Sequence, residues 1–340
     1  MSVCYMKAAQ FLGHGKIKII EKAMPVIGEH RVLIRTSYCG LCGSERRVFQ
    51  DGLTYIPGHE MSGVVVETGS AVKGIERGQH AIIYFLDYCG KCTACKEGNS
   101  HLCENRAGLL GWTQDGGYSQ FVSVSGGMVY PIDNSIRLDI AVLALDTVGT
   151  SFHALRQSEV KGSDKVLVIG CGPLGLGVIA ILQEHYHVKN VYAADLSDYR
   201  LRLAEQFGAK GIRVEKERTE DSIRDQINID IDVVFEIVGS SDTLLAGLCS
   251  VRRNGKVVLL GEPAKAFTIK RKAQWLLKDF YMIRSFYFPI RESADNISFL
   301  RKNENMLARM ITSVYKLEDI NEAFNTFFLG NSGKVLISMS

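Results

Sequence analysis

No apolar run in these 340 residues reaches the ~18 that a membrane-spanning helix needs, so no membrane partner is expected. The net charge is only +3, too small to argue for nucleic acid or an anionic surface. The first residues carry one lysine among mixed polar groups and no apolar signal core, so a cytoplasmic location is the expectation. There is no internal repeat, no low-complexity segment and no long linker. What remains is 46% apolar and 23% charged, an ordinary globular balance in a chain long enough for two cores.

One stretch organises the rest. Val166–Ile169 is a short β-branched apolar run, as expected of a strand buried on both faces. Gly170-x-Gly172-Pro173-Leu174-Gly175 follows at once, and the apolar run through Leu182 reads as a helix. Val191–Ala194 reads as a second strand, closed by Asp195. This is the pattern of a dinucleotide grip. The first glycine permits a tight turn, the second lets backbone approach a pyrophosphate, and the third lets helix pack on strand. The helix N-terminus faces the phosphates. Asp195 is placed to accept from both ribose hydroxyls and to repel a 2′-phosphate, which favours NAD over NADP. Arg200 lies nearby and softens that preference. The plainer reading is a glycine-rich strand-to-helix turn.

Nine cysteines are present, and four of them are Cys89, Cys92, Cys95 and Cys103. Two-residue spacers let successive thiolates converge on one ion. Four thiolates with no open position is the pattern of structural zinc. Free surface cysteines and an iron–sulfur cluster are the alternatives. Between Cys89 and Cys103 the only lysines are Lys91 and Lys96, so no basic stripe marks a nucleic-acid-binding ribbon.

The remaining chain divides by pattern. Residues 1 to about 135 read as short strands with glycine turns: Met6–Gln10 with Lys16–Glu21, Arg31–Tyr38, Met61–Thr68, His80–Leu86, Tyr118–Val124 and Met128–Ile132. Ile140–Arg156 reads as helical with a break near Gly149. Strand and helix then alternate: helices Asp198–Phe207 and Thr243–Ser250, strands Ile231–Phe235 and Lys256–Leu260. That is the signature of a doubly wound parallel sheet. Ala294–Thr312 and Leu317–Leu329 read as amphipathic helices, and Gly333–Ser338 as a closing strand.

Cys42, His59, Glu60 and Asp146 each have a bland reading when taken alone: Cys42 as a small buried thiol, His59 as a structural histidine, Asp146 as a helix-end carboxylate. Together with their neighbours they carry a resemblance. Gly40-Leu-Cys42-Gly-Ser44, Gly58-His59-Glu60-Met-Ser-Gly63, the cysteine quartet and Val168-Ile-Gly170-x-Gly172-x-x-Gly175 occur in one order. So do Phe235-Glu236-x-Val238-Gly239, Glu322-Ala-Phe324 and Gly333-Lys334-Val335. Nearly the whole chain resembles the zinc-containing medium-chain alcohol dehydrogenase family, especially its polyol and threonine dehydrogenase-like branch.

The resemblance implies a GroES-like β-barrel catalytic domain at 1–150 carrying a structural zinc lobe. It implies a Rossmann NAD-binding domain at 151–285 and a return to the catalytic domain at 286–340. Cys42 and His59 would bind a catalytic zinc, with Glu60 a carboxylate able to join or leave it. The third ligand would be Asp146, seven residues before His153-Ala154, where many relatives carry glutamate. Ser44 would touch the reacting alcohol, and Val238 would line the cofactor. Two positions depart from the family pattern. Glu45 stands where an aspartate usually holds the zinc histidine. Arg47 stands where a relay histidine often sits, and is assigned instead to a cofactor phosphate.

The implied enzyme uses NAD and two zinc ions and acts on a secondary alcohol such as a polyol, sugar or amino alcohol, or on its ketone. Zinc lowers an alcohol's pKa, and hydride passes to the nicotinamide in a cleft shut from water. A homodimer or homotetramer is expected through strands near Phe280–Phe288. Ser44, Phe49, Tyr55, Trp112 and Phe286–Phe288 are the candidate pocket residues. Two other readings compete: a zinc-free enone or quinone reductase of the same fold, and a non-enzymatic nucleotide-sensing zinc protein.

Overall fold

Alternating apolar residues shape the first elements of the chain. Tyr5–Gly13 and Lys16–Ala23 pair as an antiparallel hairpin. Arg31–Gly40 is the hub of a seven-stranded sheet. Across that sheet the order runs Ile311–Lys316, Lys334–Ser338, Arg31–Gly40, Glu60–Thr68, His80–Ile83, Val129–Ile132, and Phe121–Ser125 pairs with the hub as a branch. The pairings are antiparallel except Ile311–Lys316 with Lys334–Ser338. The computed structural model describes residues 4–227, 229–263 and 265–339. They form two units. One runs up to Gly149 and takes in Phe288–Leu329 and the stretch from Lys334; the other is Thr150–Tyr287 with Gly330–Gly333.

The second unit is a six-stranded parallel sheet. Its order is Lys210–Arg213, Asn190–Asp195, Lys165–Ile169, Ile231–Glu236, Val251–Leu259, Tyr281–Arg284. Central strands are buried on both faces, so they carry continuous apolar runs rather than alternation. Leu167, Ile169, Val234 and Val257 pack there with Leu244 and Leu248 of the Ser241–Ser250 helix. The chain runs outward from Lys165–Ile169 in one direction and later from Ile231–Glu236 in the other. Ligands bind at such a switch point, beyond the carboxyl ends of the strands.

Several expected elements are corrected. Ala294–Thr312 is not one helix: it breaks into Ser293–Lys302 and Glu304–Ala308, and Ile311 already begins a strand. Asn303 leaves the helical region with φ −119°, and β-branched Ile311 and Thr312 favour the extended chain that follows. The strand expected at Tyr118–Val124 starts only at Phe121, because Tyr118 and Ser119 instead bond the hairpin near Ala8 and Ala9. The break expected near Gly149 within Ile140–Arg156 is, by contrast, present, as a π-turn at Asp146–Thr150. The stretch Leu138–Ser158 is long and apolar enough on average to span a membrane, yet 83% of its most apolar window is buried by protein. Apolar helices in a protein core pass the same composition test.

Candidate active site

Strand register assembles the first cluster. Gly40 pairs with Glu60 on one side and Leu336 on the other, and Leu41 N–H donates to Val335 C=O at 2.9 Å. Cys42, Glu60 and Lys334 are therefore neighbours although far apart in sequence. Gly58 turns the chain into the Glu60–Thr68 strand at φ +100°. A Cβ there would lie 2.8 Å from both Cys39 Sγ and Tyr118 N, so only glycine fits. His59 follows it directly. Asp146 comes from the first residue of the π-turn, a local irregularity frequent at functional sites.

Cys42, His59, Glu60 and Asp146 each bring one ligand atom within 4.8 Å of the others. His59 Nε2 lies 3.5 Å from Asp146 Oδ2, which is 3.8 Å from Cys42 Sγ. Asp146 Oδ1 is buried and has no hydrogen-bond partner among the described residues. Thiolate, imidazole and carboxylate crowd together here with an unsatisfied oxygen, which is a donor set that fits a zinc ion with an open position. Burial alone would push His59 down. Its hydrogen bonds to Asp146, Cys42 and Glu45 more than offset this and hold it well above the ordinary imidazole range. The site thus draws positive charge to itself.

Glu45 fixes the ring. Its Oε1 lies 3.2 Å from His59 Nδ1, and its Oε2 accepts from Tyr118 Oη at 2.7 Å and from Cys42 N–H at 3.2 Å. With Nδ1–H committed to this carboxylate, Nε2 is the nitrogen left to bind a metal. The longer glutamate fills the role that the family pattern gives to aspartate. Glu60, the fourth group of the cluster, is also tied to a buried lysine. Both its oxygens accept from Lys334 Nζ, at 2.5 and 2.6 Å, and both side chains are 1% exposed. Lys334 also donates to Leu41 C=O at 3.0 Å. Burial lowers the lysine pKa, but the Glu60 charge outweighs that and holds it above the usual value. Sequence reasoning missed this partner, since only the strand register reveals it.

Ser44 donates its hydroxyl to Cys42 Sγ at 3.3 Å. Of the candidate pocket residues, Trp112 sits beside His59 with ring centroids 5.9 Å apart, and Tyr55 is 43% exposed. Phe49 is buried in an aromatic cluster with Phe11, Phe324 and Phe328. Phe288 is fully buried against Gly149. Arg47 is exposed, its guanidinium 6.0 Å from the Trp112 ring centre.

The four lobe cysteines also converge, with all sulfurs within 4.8 Å. Cys89 and Cys95 are 4.0 Å apart, and Cys92 and Cys103 are 3.9 Å apart. Four sulfurs at 2.3 Å from one zinc form a tetrahedron with edges of about 3.8 Å, so this cage fits. Backbone N–H groups of Cys92 and Cys89 point at the sulfurs of Cys89 and Cys103, at 3.3 Å each, and favour thiolates.

In the second unit the glycine turn adopts the shape its spacing implies. Gly170 has φ +102°, and a Cβ on Gly175 would lie 2.0 Å from Gly170 O. Gly172 caps the Pro173–Glu184 helix, with Pro173 and Leu174 in its first turn. The Asp195 carboxylate accepts from Cys171 N–H at 2.7 Å and Ser197 N–H at 2.8 Å, so it is held at the mouth of the grip. Arg200 Nη1 lies 3.9 Å from where a Gly172 Cβ would be. Val238 is 50% exposed beside Gly170.

The alcohol dehydrogenase GroES-like domain matches residues 28–134, and the glucose dehydrogenase C-terminus matches residues 144–328, more than half of the chain. An L-threonine 3-dehydrogenase of Shewanella baltica is 27% identical, over 98% of this chain and 99% of that one. The alcohol dehydrogenase TADH of Thermus sp. ATN1 superposes with a TM-score of 0.87 at 25% identity, covering 98% and 99% of the two chains. The 2R,3R-butanediol dehydrogenase of Bacillus subtilis gives 0.85 at 25% identity, covering 98% and 100%. The chain belongs to the zinc-containing medium-chain alcohol dehydrogenase family and is an oxidoreductase that moves a hydride between an alcohol and NAD.

Proposed function

We propose that Cys42, His59 and Asp146 hold the catalytic zinc of an NAD-dependent dehydrogenase for a secondary alcohol: a polyol, sugar or amino alcohol. The unsatisfied Asp146 Oδ1 beside a thiol and an oriented imidazole carries the reading. Names of relatives, a threonine and a butanediol dehydrogenase, support the substrate class. When bound, zinc supplies polarisation of an alcohol oxygen, and NAD supplies the hydride acceptor.

The chain's own groups do the rest. Glu45 presents His59 Nε2 and keeps the ring from rotating. Asp146 serves as the third ligand, and Glu60, anchored by Lys334, is the carboxylate able to join or leave the metal. Ser44 Oγ receives the alcohol proton and passes another on, as a hydroxyl can do both. Arg47 offers N–H donors and no acceptor, so its role is to hold a cofactor phosphate. Cys89, Cys92, Cys95 and Cys103 hold a structural zinc with no place for substrate. Gly170–Gly175 binds the pyrophosphate, Asp195 selects NAD, and Arg200 tempers the selection.

The proposal extends to setting. Nine free cysteines among the described residues, four of them caged, suit a reducing cytoplasm. The Tyr281–Arg284 strand is paired on one side only, with Tyr281 and Met282 exposed, so a homodimer or homotetramer through that edge is proposed. Nucleic acid and membrane are not among its partners. A screen of secondary alcohols and polyols with NAD, followed at the nicotinamide absorbance, tests the reading. Turnover that needs zinc and a secondary alcohol is expected. Enone reduction that survives removal of metal would replace it with the zinc-free reductase.

A further inference from the structure

The turn that presents Asp146 is braced by a segment far along the chain. Gly149 N–H donates to Leu145 C=O at 2.6 Å, so the Asp146–Thr150 π-turn closes on the residue just before Asp146. A Cβ on Gly149 would lie 2.5 Å from Phe288 Cε1, 2.6 Å from Phe288 Cδ1 and 2.7 Å from Asn296 Nδ2. Only a glycine lets the ring and the amide come this close to the backbone. Phe288 and Asn296 are both 0% exposed. A close-packed interior transmits a shift rather than absorbing it. The seat of the Phe288 ring therefore decides where Leu145 and Asp146 lie.

Phe288 is held in turn by the cysteine lobe. Ser100 lies between Cys95 and Cys103 and is 3% exposed. Its Oγ accepts from Ile290 N–H at 2.9 Å and lies 3.1 Å from Tyr84 Oη. Tyr84 Oη donates to Phe288 C=O at 2.6 Å, so the Ser100 hydroxyl is the donor to Tyr84. The Tyr84 and Phe288 rings also meet edge to face, with centroids 5.6 Å apart. Next along the chain, Arg291 Nη1 donates to Glu97 C=O at 2.7 Å and its Nη2 to Asn99 Oδ1 at 3.2 Å. Phe288 is thus fixed at its own carbonyl through Tyr84, and two residues on by Ser100 directly.

Two clusters that share no ligand are joined by these contacts. We infer that Phe288 is a positioning residue for Asp146, and that Ser100 of the cysteine lobe holds it in place, so that an ordered lobe raises the affinity of the first cluster for its metal. The inference rests on the reading of Cys42, His59 and Asp146 as zinc ligands. Aspartate makes the placement matter. A ligand must be held to within about 0.5 Å of its working position. Asp146 is one methylene shorter than a glutamate, so it has one torsion fewer with which to absorb a shift of the turn. The lobe then does more than stabilise its own surroundings: it aims a ligand of the other site.

The experiment measures zinc content, zinc affinity by chelator competition, and the visible spectrum of the cobalt-substituted protein. Wild type should hold an ion at each cluster; an ion at the lobe alone overturns the zinc reading of the first cluster itself. Phe288→Leu should weaken zinc at the first cluster about tenfold or more, keep the lobe's ion and shift the first cluster's cobalt bands. Tyr84→Phe keeps the ring and removes one hydroxyl. It should weaken the first cluster about threefold or more, and it carries the test if Phe288→Leu does not fold. Ser100→Ala lies in the lobe but removes no ligand, and should lower first-cluster affinity by a similar factor while the lobe keeps its ion. First-cluster affinity within about twofold of wild type in the variants, with an unchanged cobalt spectrum, would overturn the inference even if their melting temperatures fell, because a merely structural role predicts that result.

Discussion

Replacing Lys334 with methionine isolates the buried ion pair at the first cluster. Both partners are 1% exposed, and Lys334 Nζ donates to both Glu60 oxygens and to Leu41 C=O. Methionine matches the lysine stem in length and removes only the charge and its three bonds. Burial already pushes the Glu60 carboxyl up to about 7 against the pull of Lys334, so without the lysine it must take up a proton or remain a lone buried anion, at a cost of up to about 3–5 kcal/mol. For a unit of this size that corresponds to a melting shift of about 6–20 °C. The assay is urea and thermal unfolding of wild type, Lys334→Met and the double variant Lys334→Met with Glu60→Leu. The double variant should recover most of the loss, since an apolar pair of similar volume is often as stable as the ion pair it replaces. A loss below about 1 kcal/mol in Lys334→Met would refute the claim that this pair is desolvated and mutually dependent.

Three further outcomes are expected. Cys95→Ala should release the lobe's metal and lower thermal stability, measured by metal analysis and calorimetry; unchanged values for both would remove the structural-zinc assignment. Glu45→Ala frees the His59 ring and should weaken zinc at the first cluster about 10–100-fold, read by chelator competition; retained affinity would show that the Glu45 contact is incidental. Asp195→Ala should raise kcat/KM with NADP relative to NAD, and a wild-type enzyme that already prefers NADP would contradict the selection argument.

The parallel sheet and the family were legible because their signals are local. Val166–Ile169, the glycine spacing and Asp195 lie within one short stretch, and the cysteine quartet likewise carries its geometry in its spacers. Relations set by register were not legible. Nothing near Lys334 in sequence says that its ammonium reaches Glu60, because that follows from pairing Gly40 with both Glu60 and Leu336. The same holds for Tyr118, which reaches Glu45 across 73 residues. The aromatic cluster that takes up Phe49 was hidden as well, because Phe11 and Phe324 lie far from it in sequence. The helical period of Ala294–Thr312 hid a break, since the apolar spacing continues past Asn303 while the backbone does not. Gly149 marked a break inside the π-turn, but nothing in the composition says that this break presents Asp146.

Zinc content and NAD-dependent alcohol oxidation, measured together on wild type and Cys42→Ala, test the central claim most directly. With one ion per cluster, wild type should hold about two zinc per chain. Cys42→Ala should keep the lobe's zinc, lose the other, bind NADH normally and show no turnover. Two zinc and wild-type turnover in Cys42→Ala would contradict the account.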